Sequence, residues 1–247
     1  MSLTVDGLMV AMRVGLLLAL CSFGCVTAEP AFAGEAAGGA EWSRSSLLAA
    51  WNRVRGDEYV LDGVERWLEP GQRVVCDAGA MVTYRGKRLR YAGSLQVSEP
   101  FRERLERFEG LVADVAREVY GREPRLIRHY GAYSCRSTRN RRHVVSEHAL
   151  GNALDLVGFD FGAAKKAEPL PEGMPRALRG AFQVSVARHW AGRARGEAGA
   201  VHARFLEELT SRLRERPDIF RCMFGPGHGG HDDHLHLDVA PWRYVDL

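Results

Sequence analysis

Residues 228–238 read His228-Gly229-Gly230-His231-Asp232-Asp233-His234-Leu235-His236-Leu237-Asp238, and four of the chain's nine histidines fall in this stretch. From His234 onward, polar and apolar residues alternate. Alternate side chains of a strand share a face, so His234, His236 and Asp238 are expected on one side. Leu235, Leu237 and Val239 then turn toward a core. That pattern delivers two imidazoles to one surface, which metal chemistry requires. It reads as a sheet strand rather than a solvated histidine-rich loop.

A second polar cluster lies upstream: Ser146-Glu147-His148-Ala149-Leu150-Gly151-Asn152-Ala153-Leu154-Asp155. The apolar residues around it (Val144, Val145, Ala149, Leu150, Ala153, Leu154, Leu156, Val157) predict burial of His148 and Asp155. A buried carboxylate must be paired or bind metal. Gly151 permits a tight turn that lets His148 converge with Asp155. One Asp and two His give three ligands and leave a fourth tetrahedral position for water, the pattern of catalytic rather than structural zinc.

Outward from these blocks, Ser98-Glu99-Pro100 is a helix start. Phe101, Leu105, Phe108, Val112, Val115 and Val119 mark one apolar face of that helix, and Gly121 ends it. A second helix is expected over about Ala200 to Arg214, with Phe205, Leu209 and Leu213 on one face, stopping before Pro217. Residues Trp42 to Val60 carry the spacing of a short amphipathic helix. Gly71 to Leu95 alternates around Tyr84-Arg85-Gly86-Lys87 and reads as a hairpin. Strand-like segments run from Arg125 to Tyr133, Ala153 to Phe159, Phe182 to Val186 and Leu235 to Val239. The order points to an α+β fold: a small, mostly antiparallel sheet flanked by helices, with the zinc site on the sheet. No helix separates the strands regularly, so parallel βαβ order is not expected.

At its start the chain carries Arg13, then the apolar run Val14 to Cys21, then Ala31-Phe32-Ala33 before Gly34. Positive residue, short apolar core and Ala-x-Ala site are the features of a secretory signal peptide. The run is shorter than the roughly 20 residues that span a bilayer. The expected organisation is therefore a signal peptide over 1–33, a small-residue linker over 34–41 and one domain over 42–247. A periplasmic or secreted location follows, without stable membrane insertion once the leader is removed. An uncleaved leader acting as an anchor is the alternative. Cleavage removes Cys21 and Cys25 and leaves Cys76, Cys135 and Cys222, one pair plus one thiol. Cys135 with Cys222 is the preferred pair, because each shortly precedes a ligand segment. The 247 residues carry 34 Lys+Arg against 31 Asp+Glu, and a net charge of +3 argues against a nucleic-acid binder.

The pattern Ser146-x-His148-x-x-Gly151-x-Ala153-x-Asp155 followed by His234-x-His236 resembles the lysostaphin, D-Ala-D-Ala peptidase and Sonic hedgehog superfamily. Within it the chain is most similar to the bacterial extensin-like C-terminal domain family. Tyr133-Ser134-Cys135-Arg136, Ser146 to Asp155, and His231-x-Asp233-His234-x-His236-Leu237-Asp238 carry the likeness. It extends over about Trp51 to Ala240 but is sharp only in those blocks. The resemblance implies a zinc ion on His148, Asp155 and His236, with His234 lining the site. It also implies a peptidase acting on peptidoglycan peptides, of DD-carboxypeptidase or endopeptidase type. One departure is visible: D-Ala-D-Ala dipeptidases place Glu three residues before the last His, where this chain has Asp233.

Hydrolysis needs a general base within hydrogen-bond reach. Strand geometry favours His234, analogy favours Asp233, and His231 is a further polar candidate. Arg136 is suited to hold a substrate carboxylate or to stabilise an oxyanion, and Ser146 is grouped with it as substrate-binding. A zinc-containing, non-catalytic cell-wall binding module is the competing reading. Such a module has no need of a positioned base.

Overall fold

The computed structural model describes residues 66–247, apart from 77, 168 and 169. The helix expected over 42–60 and the leader expected over 1–33 lie outside the described residues. Among the described residues nine strands form: β1 (Val82–Tyr84), β2 (Arg90–Tyr91), β3 (Leu95–Val97), β4 (Leu126–Gly131), β5 (Ala153–Phe161), β6 (Phe182–Ser185), β7 (Cys222–Phe224), β8 (Leu235–Asp238) and β9 (Tyr244–Asp246). Three helices accompany them: α1 (Glu99–Tyr120), the one-turn α2 (Val186–His189) and α3 (Gly196–Arg214). A 3₁₀ turn, Glu147–Leu150, leads into β5.

The sequence dictates α1 almost completely. Ser98 accepts a hydrogen bond from the Phe101 amide, Pro100 sits in the first turn, and Gly121 closes the helix in the left-handed conformation. Phe101, Leu105, Phe108, Val112, Val115 and Val119 are all buried. Each such side chain contributes roughly 1.5–3 kcal/mol of burial. They share one core with Phe205, Leu206, Leu209 and Leu213 of α3 and with Leu154, Leu156, Leu235 and Leu237 of the sheet. The helix over 200–214 begins four residues earlier than its apolar spacing indicates, at Gly196.

The sheet departs from the sequence expectation. Its seven strands run β2-β4-β5-β8-β7-β9, with β6 also paired to β5. The central pairs are antiparallel, but β2 with β4 and β7 with β9 are parallel. The sheet is therefore mixed and larger than expected, with four antiparallel pairs in its interior and a parallel pair at each edge. The cause lies at the two edges. Between β2 and β4 the chain passes through α1, a crossover that returns β4 parallel to β2. At the other edge the C-terminal residues come back as β9 beside β7. The hairpin expected over Gly71 to Leu95 is also corrected. β1 pairs with β3 in a separate two-stranded sheet, while β2 joins the large one. Buried Glu109 of α1 explains why Tyr84-Arg85-Gly86-Lys87 does not close a hairpin. Its carboxylate accepts from the Tyr84 hydroxyl (2.5 Å) and from the amides of Lys87 (3.1 Å), Arg88 (2.6 Å) and Leu89 (3.1 Å). The segment is folded onto the helix instead.

Strand alternation sorts the two faces of the sheet. Leu154, Leu156, Leu235, Leu237 and Met223 belong to the core with the helices. Asp155, His236 and Phe224, cross-strand neighbours in register, point the other way. The segment 132–152 lies at that second face. It is tied to residues 66–76 by the Leu68 amide to His143 carbonyl bond, by the Val145 amide to Arg66 carbonyl bond (both 2.8 Å), and by a disulfide. The disulfide joins Cys76 to Cys135, not Cys135 to Cys222. Cys222 is a buried free thiol in β7, where its sulfur donates to the Trp242 carbonyl.

Candidate metal centre

Three separate local decisions bring the site together. The first is the 3₁₀ turn. Ser146 caps it, its hydroxyl accepting from the His148 amide, and Gly151 ends it with φ +64°. His148 is thereby buried and turned toward β5, with Nδ1 fixed 2.9 Å from the Ala132 carbonyl. The second is β5, which presents Asp155. The third is β8, which presents His236 directly opposite Asp155 in the antiparallel register.

His148 Nε2 lies 3.1 Å from Asp155 Oδ1 and 3.2 Å from His236 Nδ1, and His236 Nδ1 lies 2.9 Å from Asp155 Oδ1. Among the described residues this is the one group of three or more His, Cys, Asp or Glu side chains placed to hold a metal ion. Donors that each sit about 2.0–2.2 Å from one ion must themselves lie within a few ångströms of each other. Two imidazole nitrogens and one carboxylate oxygen suit a divalent first-row metal. The outer partners support that chemistry. The rear nitrogen of each histidine is held, His148 Nδ1 by the Ala132 carbonyl and His236 Nε2 by Asp238 Oδ2 at 2.8 Å. Such contacts fix ring orientation at metal sites.

The charges follow the geometry. Burial opposes ionisation of Asp155, but hydrogen bonds from His148 and His236 outweigh it and hold the carboxyl well below its usual range. Burial likewise opposes a charged His236 ring, yet the hydrogen bonds to Asp155 and Asp238 raise it to about 9. In the metal-free fold the group thus sets an ionised carboxylate beside a charged His236 ring.

His234 shares the face of His236, as the alternation requires. Its Nε2 is 3.8 Å from Asp155 Oδ1, and its Nδ1 faces Asp233 Oδ1 at 2.9 Å. His231 stacks on Phe224, with ring centroids 5.5 Å apart, and lies 5.0 Å from the His234 ring. Burial, together with the neighbouring His236, His234 and His228, lowers His231 to about 4. Arg136 lines a cleft of about 430 Å³ with Arg73 and Arg142. Partial desolvation and the neighbouring Arg139 lower the pKa of the Arg136 guanidinium below the usual value, with Asp155 acting weakly the other way. Ser146 is buried and its hydroxyl caps the His148 turn, a positioning use.

Two contributors escaped the motif reading. Tyr130 of β4 donates from its hydroxyl to Asp233 Oδ2 at 2.7 Å and packs edge-on against His234. Nothing in the spacing around Tyr130 marks it. Asp238 was signalled, because the alternation that identified His236 also places Asp238 on the same face.

The fold and site define an α+β protein whose mixed sheet carries a candidate His-Asp-His metal centre on the face away from its helices. The chain belongs to the family described as "Extensin-like protein C-terminus", whose profile matches residues 64–245. No curated protein and no solved structure matches it.

Proposed function

We propose that the protein is an exported zinc-dependent peptidase that cleaves peptidoglycan stem peptides or cross-links. The convergence of His148, Asp155 and His236 from three separate chain segments, with the His234 ring beside them, carries this reading. The ligand motif and its order resemble those of the lysostaphin, D-Ala-D-Ala metallopeptidase and Sonic hedgehog superfamily, a likeness that supports the reading. The leader over 1–33 supports a periplasmic or secreted site of action.

Zinc held by His148, Asp155 and His236 would supply a Lewis acid that polarises a carbonyl and lowers the pKa of water to about 7. The chain supplies the rest. Asp155 and the two imidazoles would hold the ion, and the Ala132 carbonyl and Asp238 keep those rings in place. His234 is the side chain whose free nitrogen faces the donor group, as a proton acceptor must. Arg136 offers a guanidinium fork to a substrate carboxylate at the cleft it lines with Arg73 and Arg142.

The test is metal analysis of the purified protein alongside digestion of peptidoglycan, with products identified by mass. Stoichiometric zinc and a new peptide amine support the peptidase. Stoichiometric zinc with no cleavage of any muropeptide withdraws it in favour of a cell-wall binding module.

A further inference from the structure

The sequence leaves Asp233 and His234 as joint candidates for the proton acceptor, and the geometry separates them. We infer that Asp233 is a positioning residue, and that it forms with Tyr130 a latch that sets which nitrogen of His234 faces the metal donors. The catalytic consequence rests on the peptidase reading; the latch itself does not.

Asp233 has two carboxylate oxygens and both are engaged. Oδ1 faces His234 Nδ1 at 2.9 Å, and Oδ2 accepts from the Tyr130 hydroxyl at 2.7 Å. Those two hydrogen bonds, His234 first and Tyr130 second, lower the Asp233 carboxyl below its usual range. A carboxylate held ionised by two donors, on the far side of the ring from Asp155, is poorly placed to take a proton at the metal group. His234 is the reverse case. With Nδ1–H given to Asp233, the lone pair is left on Nε2, which sits 3.8 Å from Asp155 Oδ1. That separation is beyond hydrogen-bond distance, so Nε2 faces the donor group without being tied to it.

Tyr130 gives the latch its second anchor. It precedes Gly131, the register partner of Asp155, so it reaches Asp233 from the strand beside the site. Tyr130 is 61% exposed, and its ring meets the His234 ring edge-on, with centroids 5.5 Å apart. An aromatic side chain left so open is held by its hydroxyl bond and that ring contact rather than by core packing. Asp233 therefore braces His234 from behind and Tyr130 braces Asp233. Neither needs to touch substrate.

The experiment uses the full mature chain and two readouts. In the metal-free protein, at a pH where the ring is neutral, side-chain nitrogen NMR should show His234 as the Nδ1–H tautomer, the resonance being assigned by its loss in His234→Gln. Asp233→Ala should abolish that fixed pattern, and Tyr130→Phe should weaken it. On a muropeptide, Asp233→Ala should lower kcat about 10–100-fold, as loss of an outer orienting partner does, with KM little changed. In a His234→Gln background the same substitution should cost nothing further, because it acts only through His234. Unchanged His234 nitrogen signals in both Asp233→Ala and Tyr130→Phe overturn the latch. An undiminished loss from Asp233→Ala in the His234→Gln background makes Asp233 an independent base and overturns the assignment. Should no muropeptide be cut, the peptidase reading fails while the nitrogen signals still decide the latch.

Discussion

Asp155 and His236 are register partners on adjacent antiparallel strands, and Asp155 Oδ1 lies 2.9 Å from His236 Nδ1. The other nitrogen of the same ring meets Asp238 Oδ2 at 2.8 Å. An imidazole between two carboxylates is held as the doubly protonated cation until something displaces a proton. A metal ion at Nδ1 would be such a displacer, so metal binding here would be coupled to proton release.

At pH 7, calorimetric titration of the metal-free protein with zinc in buffers of different ionisation enthalpy should show release of about one proton per ion. His236 is raised from 6.5 to about 9 in the metal-free fold. Affinity should accordingly rise with pH up to about 9, by at most about tenfold per unit. Stability of the metal-free protein should move the opposite way. A raised histidine stabilises fully below pH 6.5, and that contribution is lost as pH climbs through about 9. The depressed Asp155 contributes above its ordinary value of 3.8, and its share is lost as pH falls through its lower folded value. Binding that released no proton would contradict the doubly hydrogen-bonded ring.

Asp238→Ala should weaken zinc binding by about 10–100-fold, the usual cost of removing a partner that orients a ligand histidine. Asp238→Asn, which retains an acceptor oxygen for Nε2–H, should lose less. Asp238 is buried, and its Oδ1 also accepts from the Ala240 amide at 2.9 Å. Chelator competition measures the affinity, and circular dichroism shows whether the sheet survives. Equal affinities for wild type and Asp238→Ala would remove Asp238 from the centre.

How far the sequence could carry this depended on the range of each signal. His148, Asp155 and His236 were legible because the motif around Gly151 and the alternation around Leu235 are both local. The long helix was legible for the same reason, with Ser98, Pro100 and Gly121 all within its own span. β7 and β9 are three residues each, too short to show a period. The parallel β2–β4 pair is set by where α1 delivers the chain. Cysteine pairing is settled by the backbone contacts that bring residues 66–76 beside 132–146, which no spacing records. Tyr130 belongs with these: its role depends on a hydrogen bond to a residue 103 positions away.

The Cys76–Cys135 bridge, spanning 59 positions, should contribute about 2–4 kcal/mol to stability. The double substitution Cys76→Ser with Cys135→Ser should lower the urea midpoint accordingly. Cys222→Ala should leave the bridge intact. Peptide mapping under non-reducing conditions checks the pairing, and recovery of a Cys135–Cys222 peptide would refute it.

Gly151→Ala should cost both stability and metal affinity, because this glycine sets the angle between the His148 turn and the Asp155 strand. Its φ of +64° is unfavourable for a residue with a side chain, by roughly 1–2 kcal/mol. A Cβ there would also lie 2.4 Å from Met81 Sδ and 2.7 Å from the Ser98 amide nitrogen. The Ser98 contact cannot simply yield. Ser98 caps α1, its amide donates to the Gly151 carbonyl at 3.0 Å, and its hydroxyl donates to Asn152 Oδ1 at 2.6 Å. The helix start and the turn that carries His148 are thus one joint. Gly192→Ala is the control, since φ is +77° there but nothing lies within 4 Å of the added carbon. It should show the backbone cost alone and leave zinc affinity unchanged. If Gly151→Ala is no more destabilising than Gly192→Ala and binds zinc as tightly as wild type, the close approach at Ser98 does not govern the site.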